Sequence, residues 1–264
     1  NIIINFTIIN NYIPKNKKKA KIETDSSNDE SNDSTNDNLD DSVKIDEFVS
    51  SIRRFVHQLE MNDGEQSIIW HSQLFGISKR RTYDIVNVFE SIGCCKKKRC
   101  DSIFWIGKDN IKNKLKNLVE INNVDDSSIS LEEIFPNDKC IGVSNMTTSL
   151  VLLFYIFKTD VLDLRDVAFF LSRDTPRYKT TLNKLYQIAH IMSAIDVMKK
   201  TQKTGEVIIS TEFFKFDVVP VNKEQNFDFA SVESFINTDE SKLFKITQKR
   251  RKEFEPYVSN NKRR

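Results

Sequence analysis

A helix-rich α+β chain is predicted: two units in tandem, each of three helices and a β-hairpin, flanked by disordered tails. Three observations predict it. Ser78 to Gly107 reads as an amphipathic helix with an arginine pair at its start, followed by a basic hairpin. The apolar framework of that helix recurs 103 positions downstream. Composition at both ends is polar and charged, with too little aliphatic surface to build a core.

The first unit spans 45–108. Phe48, Val49, Ile52, Phe55, Val56 and Leu59 recur at helical spacing, and Asn62-Asp63-Gly64 is a turn. Ser67 to Phe75 supplies a short second helix, and Gly76 makes the tight turn into the third. Ser78 is a suitable N-cap and Gly93 a natural helix stop. At 100° per residue, Ile85, Val86, Val88, Phe89 and Ile92 fall on one arc, with Tyr83 at its margin. Arg80, Asp84, Asn87 and Ser91 share the opposite face, and Arg81 lies at the edge of the first turn. Cys94 to Arg99 then forms a basic strand, and Ile103-Phe104-Trp105-Ile106-Gly107 an aromatic, β-branched one. A helix with a hairpin beside it is the plan of a winged helix-turn-helix, in which the helix enters the major groove and the hairpin touches the backbone.

Arg80-Arg81-Thr82-Tyr83-Asp84-Ile85-Val86-Asn87-Val88-Phe89-Glu90-Ser91-Ile92-Gly93 resembles the recognition helix of the E-two-F/DP family of cell-cycle transcription factors. Their pattern is Arg-Arg-x-Tyr-Asp-Ile-x-Asn-Val-Leu-Glu-x-Ile-Gly, so Phe89 is the single departure, and Trp105 and Gly107 also match. The resemblance implies a nuclear regulator of RNA polymerase II promoters of cell-cycle and replication genes. Its site would be T-rich with a CGC-type core.

An arginine fork takes both O6 and N7 of guanine, contributing about 1–3 kcal/mol of discrimination per pair. Arg80 and Arg81 are therefore the expected base readers. Asp84 either orients a guanidinium or makes an ordinary helical ion pair. Asn87 shares that face, and Tyr83 stands either beside phosphate or in the packing. Lys79, Lys96, Lys97, Lys98 and Arg99 are expected on phosphates, positioning the domain without reading sequence.

After this unit, 109–138 is read as a linker. Its stripe of Ile111, Leu115, Leu118 and Val119 is too short to hold two chains together. Family members with one DNA-binding domain have a longer coiled coil here, which pairs them with a DP partner. The second unit, 139–219, has an apolar run at 149–157, an amphipathic helix at 161–171 and a polar connection at 173–179. In the repeat, Tyr83 falls on Tyr186, Ile85 on Ile188, Val88 on Ile191 and Ile92 on Ile195, and Lys96-Lys97 on Lys199-Lys200. The connection after the second helix carries an insertion, and Gly205 turns a candidate second hairpin. The arginine pair becomes Asn183 and Lys184, Asp84 becomes Gln187, and Asn87 becomes His190. A single ammonium lacks the guanidinium fork. This diverged winged helix either adds affinity through Asn183, Lys184, Lys199 and Lys200 or packs on the first without touching DNA. Tandem copies resemble the atypical family members, which bind DNA as an intramolecular pair without DP.

The net charge of +2 conceals a strong asymmetry. Glu23 to Glu47 carries ten acidic side chains against Lys44 alone, and 1–44 is expected to be a disordered tail. Lys79 to Arg99 carries seven basic side chains against two acidic, the footprint of a phosphate-facing surface. The tail at 220–264 is expected to be mostly disordered. Basic runs at Lys15–Lys21 and Lys249–Lys252 are candidate import signals, and Lys262-Arg263-Arg264 closes the sequence. No acidic-hydrophobic segment of the sort that binds pocket proteins is evident near the C-terminus, which favours repression or competition for sites. The opening apolar run is too short to span a bilayer and lacks an initiator methionine, so the true N-terminus is open.

Double-stranded DNA is the expected partner, with a DP-like protein or a second copy as alternatives and no membrane. Cys94, Cys95 and Cys100 with His71 are weighed as zinc ligands and read instead as buried thiols, since neighbouring side chains on a strand point to opposite faces. Neither catalysis nor a cofactor is expected: there are three histidines and no nucleophile–base pair or phosphate loop. An alternative of another class is a winged-helix module that binds protein. The Arg80-Arg81 pair argues against it.

Overall fold

Ser67 and Ser78 punctuate the first half. Ser67 Oγ accepts the Trp70 amide and opens α2 (Ile68–Leu74), and Ser78 Oγ accepts the Arg81 amide and opens α3 (Lys79–Ser91). Before them, α1 (Asp37–Met61) lays Ile52, Phe55, Val56 and Leu59 into the core. The computed structural model describes residues 37–99, 101–136, 142–214 and 239–261. On α3, Ile85, Val86, Val88 and Phe89 are all buried, as is Ile92 at its C-cap, as the helical arc requires. Strands β1 (Glu65–Ser67), β2 (Cys95–Arg99) and β3 (Ser102–Trp105) form an antiparallel sheet in the order β1-β3-β2, with a register shift between Lys97 and Arg99. The pleat sends Ile103 inward while Phe104 stays at the surface.

Gly93 turns the chain out of α3 at φ +88°, a conformation favouring glycine. A Cβ there would lie 2.6 Å from that of Lys114, so the next helix can approach only a glycine. That helix, α4 (Ile111–Ile121), buries Ile111, Leu115 and Val119 and packs against α6 (Val143–Phe157). A short α5 (Leu131–Ile134) follows, with a capping box between Ser130 and Glu133. The stretch read as a linker is therefore part of the folded body. Its three or four apolar residues are too few for an isolated helix but sufficient once α6 covers them.

In the second half α6 leads into β4 (Val161–Asp163), α7 (Leu164–Leu171), α8 (Tyr178–Ala194), β5 (Met198–Lys200) and β6 (Glu206–Ile209). The sheet order β4-β6-β5 matches β1-β3-β2, and every pair is antiparallel. The expected helix at 161–171 divides. Val161 and Leu162 pair with Ile208 and Val207, and Asp163 caps α7 by accepting the Arg165 amide at 2.9 Å. Helix α8 begins at Tyr178, within the connection expected at 173–179.

Two further expectations are corrected. The acidic stretch expected to be a tail through residue 44 is helical from Asp37, continuous with α1. The C-terminal segment carries α9 (Asp239–Asn261), which packs against α5, α6 and α7. Phe254 meets Phe157 and Phe170 at ring-centroid distances of 4.8 and 5.4 Å. The basic run on α9, a candidate import signal, is engaged in holding this helix down. Arg250, fully buried, donates to the Asp126 carbonyl and pairs with Glu253. Arg251 donates to the Phe157 carbonyl at the end of α6, and Lys249 to that of Ser127. The Lys15–Lys21 run, Cys100 and Lys262-Arg263-Arg264 lie outside the described residues.

Candidate nucleic-acid interface

Helices α3 and α8 face one another across an open groove. Arg80, Arg81 and Asp84 line one wall, and Asn183, Lys184 and Gln187 the other. At the junction, Arg81 Nη1 donates to Asp84 Oδ2 at 3.3 Å and to Gln187 Oε1 at 2.5 Å. Gln187 Nε2 closes the triangle by donating to Asp84 Oδ2 at 2.8 Å. Asp84 and Gln187 are 103 positions apart, so the contact joins equivalent points of the two helices. Gln187 was legible as the partner of Asp84 in the repeat; its contact with Asp84 was not.

Each expected site residue has a definite place. Arg80 is exposed and makes no side-chain hydrogen bond or ion pair among the described residues, leaving its fork open to the groove. Arg81 is half-exposed and pairs with Asp84 three residues on, whereas Arg80, a full turn before Asp84, does not. Tyr83 turns aside: its hydroxyl donates to Asp101 in the hairpin turn, and the Lys79 ammonium lies over its ring at 5.8 Å. Asn87 accepts from the Lys97 ammonium, whose backbone amide and side chain both bond to Glu90 at 3.1 Å. Lys97 therefore ties the hairpin to α3, while Lys96, Lys98 and Arg99 project from the exposed side of β2. Lys98 also covers the Phe104 ring, at 5.6 Å.

The polar face of α3 is not wholly open. Ser91, expected on it, is buried and donates to the Ser144 carbonyl on α6. In the second half Asn183 and Lys199 are exposed, and Lys184 is half-buried in the groove wall. Lys200 is exposed on β5 and feels His190 on one side and Asp46 of α1 on the other. Lys200 and His190 stand at the repeat positions of Lys97 and Asn87. Burial, aided by Lys200 and opposed by Asp46, pushes His190 down to about 4. Burial does the same to His71, whose Nε2 lies 2.9 Å from Gln66 Oε1.

Cys94 and Cys95 are buried free thiols, and burial raises both, Cys94 to about 12. Among the described residues no group of three or more His, Cys, Asp or Glu is placed to hold a metal ion, and no helix is long and apolar enough to cross a membrane.

The sequence is similar to those of known proteins. The model of the E-two-F/DP family winged-helix DNA-binding domain matches residues 40–107, which hold α2, α3 and the whole first sheet. Transcription factor E2F7 of Danio rerio is 25% identical over 156 residues, covering 50% of this chain and 21% of that protein. Transcription factor E2F2 of Mus musculus is 36% identical over 58 residues, covering 22% of this chain and 13% of its own. The transcription factor-like protein E2FF of Arabidopsis thaliana is 26% identical over 157 residues, covering 48% and 44%. The chain thus spans about a fifth of the length of the first of these and less than half of the last. Residues 40–107 are thus a winged-helix DNA-binding domain of the E-two-F/DP type.

Proposed function

We propose that the chain is a sequence-specific double-stranded-DNA-binding regulator of RNA polymerase II promoters, acting on cell-cycle and replication genes as an intramolecular pair of winged helices. Residues 139–219 are, in this reading, a diverged second winged helix. The observation that carries it is the Arg81–Asp84–Gln187 triangle, which joins equivalent points of α3 and α8 and sets both helices along one groove. Two findings support it. The helix, strand and sheet orders of the two halves agree, and the Danio rerio match covers half the chain, well beyond residues 40–107.

In mechanism, Arg80 addresses guanine O6 and N7 with its free fork. Arg81, fixed by Asp84 and Gln187, addresses the neighbouring guanine of a CGC-type core in a T-rich site. Holding one guanidinium before DNA arrives removes part of its ordering cost. Lys79, Lys96, Lys98 and Arg99 meet phosphates on either side and set the register. Because α6 and α8 already pack on α3, the chain supplies internally the cover that a DP-like protein would bring. It acts in the nucleus.

The test is a titration of the purified chain alone, at stated salt, against a T-rich duplex with a CGC core, a scrambled duplex, and the same pair with the DP-like protein added. Tight, selective binding without a partner is expected. Binding that appears only with the DP-like protein would replace the intramolecular pair by a heterodimer, and equal binding to the scrambled duplex would remove sequence specificity.

A further inference from the structure

The two groove walls carry different reading chemistry at equivalent stations. Arg80 and Asn183 correspond in the repeat, are both exposed, and line the same groove. Each stands four residues ahead of the joined pair, Asp84 and Gln187, so each lies about 6 Å along its helix from the junction at 1.5 Å per residue. Both thereby open onto one short stretch of the groove. Helix α8 opens a turn earlier than α3, and Thr180 of that added turn also lines the groove without covering Asn183.

An arginine fork offers two donors and fits the two acceptors of guanine, whereas an asparagine amide offers one donor and one acceptor and fits N7 and N6 of adenine. Lys184, beside Asn183, contributes a single point charge and no fork. The junction itself is asymmetric. An aspartate at 187 would set a second carboxylate against Asp84, while Gln187 donates to Asp84 and accepts from Arg81.

We infer that Asn183 is a specificity-determining residue selecting an A·T pair, so that this chain prefers an asymmetric duplex with a guanine-bearing half under α3 and an adenine-bearing half under α8. A self-complementary CG-rich core would satisfy only one wall. The inference rests on the DNA-binding reading proposed above and deepens it by naming the second half of the site.

The test uses the full chain and a set of duplexes in which the CGC-type half is fixed and each position of the other half is varied through all four pairs. Wild type is expected to favour adenine at one position by about tenfold or more, within the range of one bidentate contact. Asn183→Arg should move that preference to guanine. Asn183→Ala should flatten it while leaving selectivity for the fixed half intact. Asn183→Gln, which keeps the amide, should retain a weaker adenine preference. Indifference of wild type in the second half, or an Asn183→Ala profile identical to wild type, would overturn the inference and leave the proposed function standing. Loss of selectivity at the fixed CGC half in wild type would instead bring down the DNA-binding reading itself.

Discussion

In the first half the amides of Gly93 and Cys94 reach back to the carbonyls of Glu90 and Phe89; in the second, those of Asp196 and Val197 reach back to Ser193 and Met192. The match continues through the sheets. Ile68 and Leu164 each donate to the hairpin turn at 2.8 Å, to Asp101 and Gly205, and Ile106 and Ser210 close the hairpins onto Cys94 and Val197 at 2.8 Å. Backbone bonding is thus held constant between the halves while the side chains facing the groove differ. Recognition chemistry can change on this frame at little structural cost, because Arg80, Arg81 and Asn183 are exposed and contribute nothing to either core.

The comparison breaks most visibly in DNA binding. In the proposed reading Arg80→Ala with Arg81→Ala removes two base-reading forks of about 1–3 kcal/mol each, so selective affinity should fall by about 30-fold or more. Asn183→Ala with Lys184→Ala removes one bidentate amide and one point charge, and the loss should stay near tenfold. Titration of both double variants on the same duplex checks the ordering. Equal losses would make the two walls equivalent readers.

Stability should break along another line, since only the second half is covered by α9. Phe254 is buried against Phe157 and Phe170, and Phe254→Ala should cost about 3–5 kcal/mol in urea unfolding. Trp105, packed edge-on against Phe89 at 5.5 Å, reports the first half by fluorescence and should unfold later than the second half in that variant.

Each half also has one histidine pushed down to about 4, His71 within the first core and His190 at the groove. Both folded values lie below the ordinary 6.5, so the unfolded chain binds more protons between them. Their contribution to stability is fully present above pH 6.5 and is lost as pH falls to about 4. Replacing His190 by Asn, the residue at the equivalent station of the first half, should flatten part of that slope in melting curves taken from about pH 7 to about pH 4.

How much of this was legible in the sequence follows from the same comparison. The first half was readable because glycines mark the left-handed turns on either side of α3, Gly76 and Gly93, and because a fourteen-residue ungapped motif runs from Arg80. At the corresponding turns the second half has Asp174 and Asp196, at φ 61° and 60°, so the punctuation is present in the backbone and missing from the residue types. Strand β4 is not distinguishable from helix in the sequence because Val161 and Leu162 fit either period over so short a run. Helix α9 was hidden for a different reason. Much of its anchorage is Lys249, Arg250 and Arg251 donating to main-chain carbonyls, and a basic run ordinarily signals a solvated segment. The groove residues were individually legible; their meeting at Asp84 and Gln187 depends on how α8 packs on α3, which no local pattern encodes.

The smallest expected effects are the most direct measure of how far the halves have diverged, because they concern one turn in two chemical forms. Gly93→Ala forces a Cβ into φ +88° and within 2.6 Å of Lys114, and should destabilise by about 1–2 kcal/mol from the left-handed backbone alone, with the overlap adding to it. At the second turn the substitution runs the other way. Asp196 is exposed and already left-handed, so Asp196→Gly relieves a modest steric cost while adding freedom to the unfolded chain. The two terms oppose one another, and the net change should remain within about 1 kcal/mol. Urea unfolding of both variants decides whether the turns are equivalent. A large loss from Asp196→Gly would mean that the carboxylate, and not only the φ angle, holds the second turn, and the halves would then share a conformation without sharing its cause.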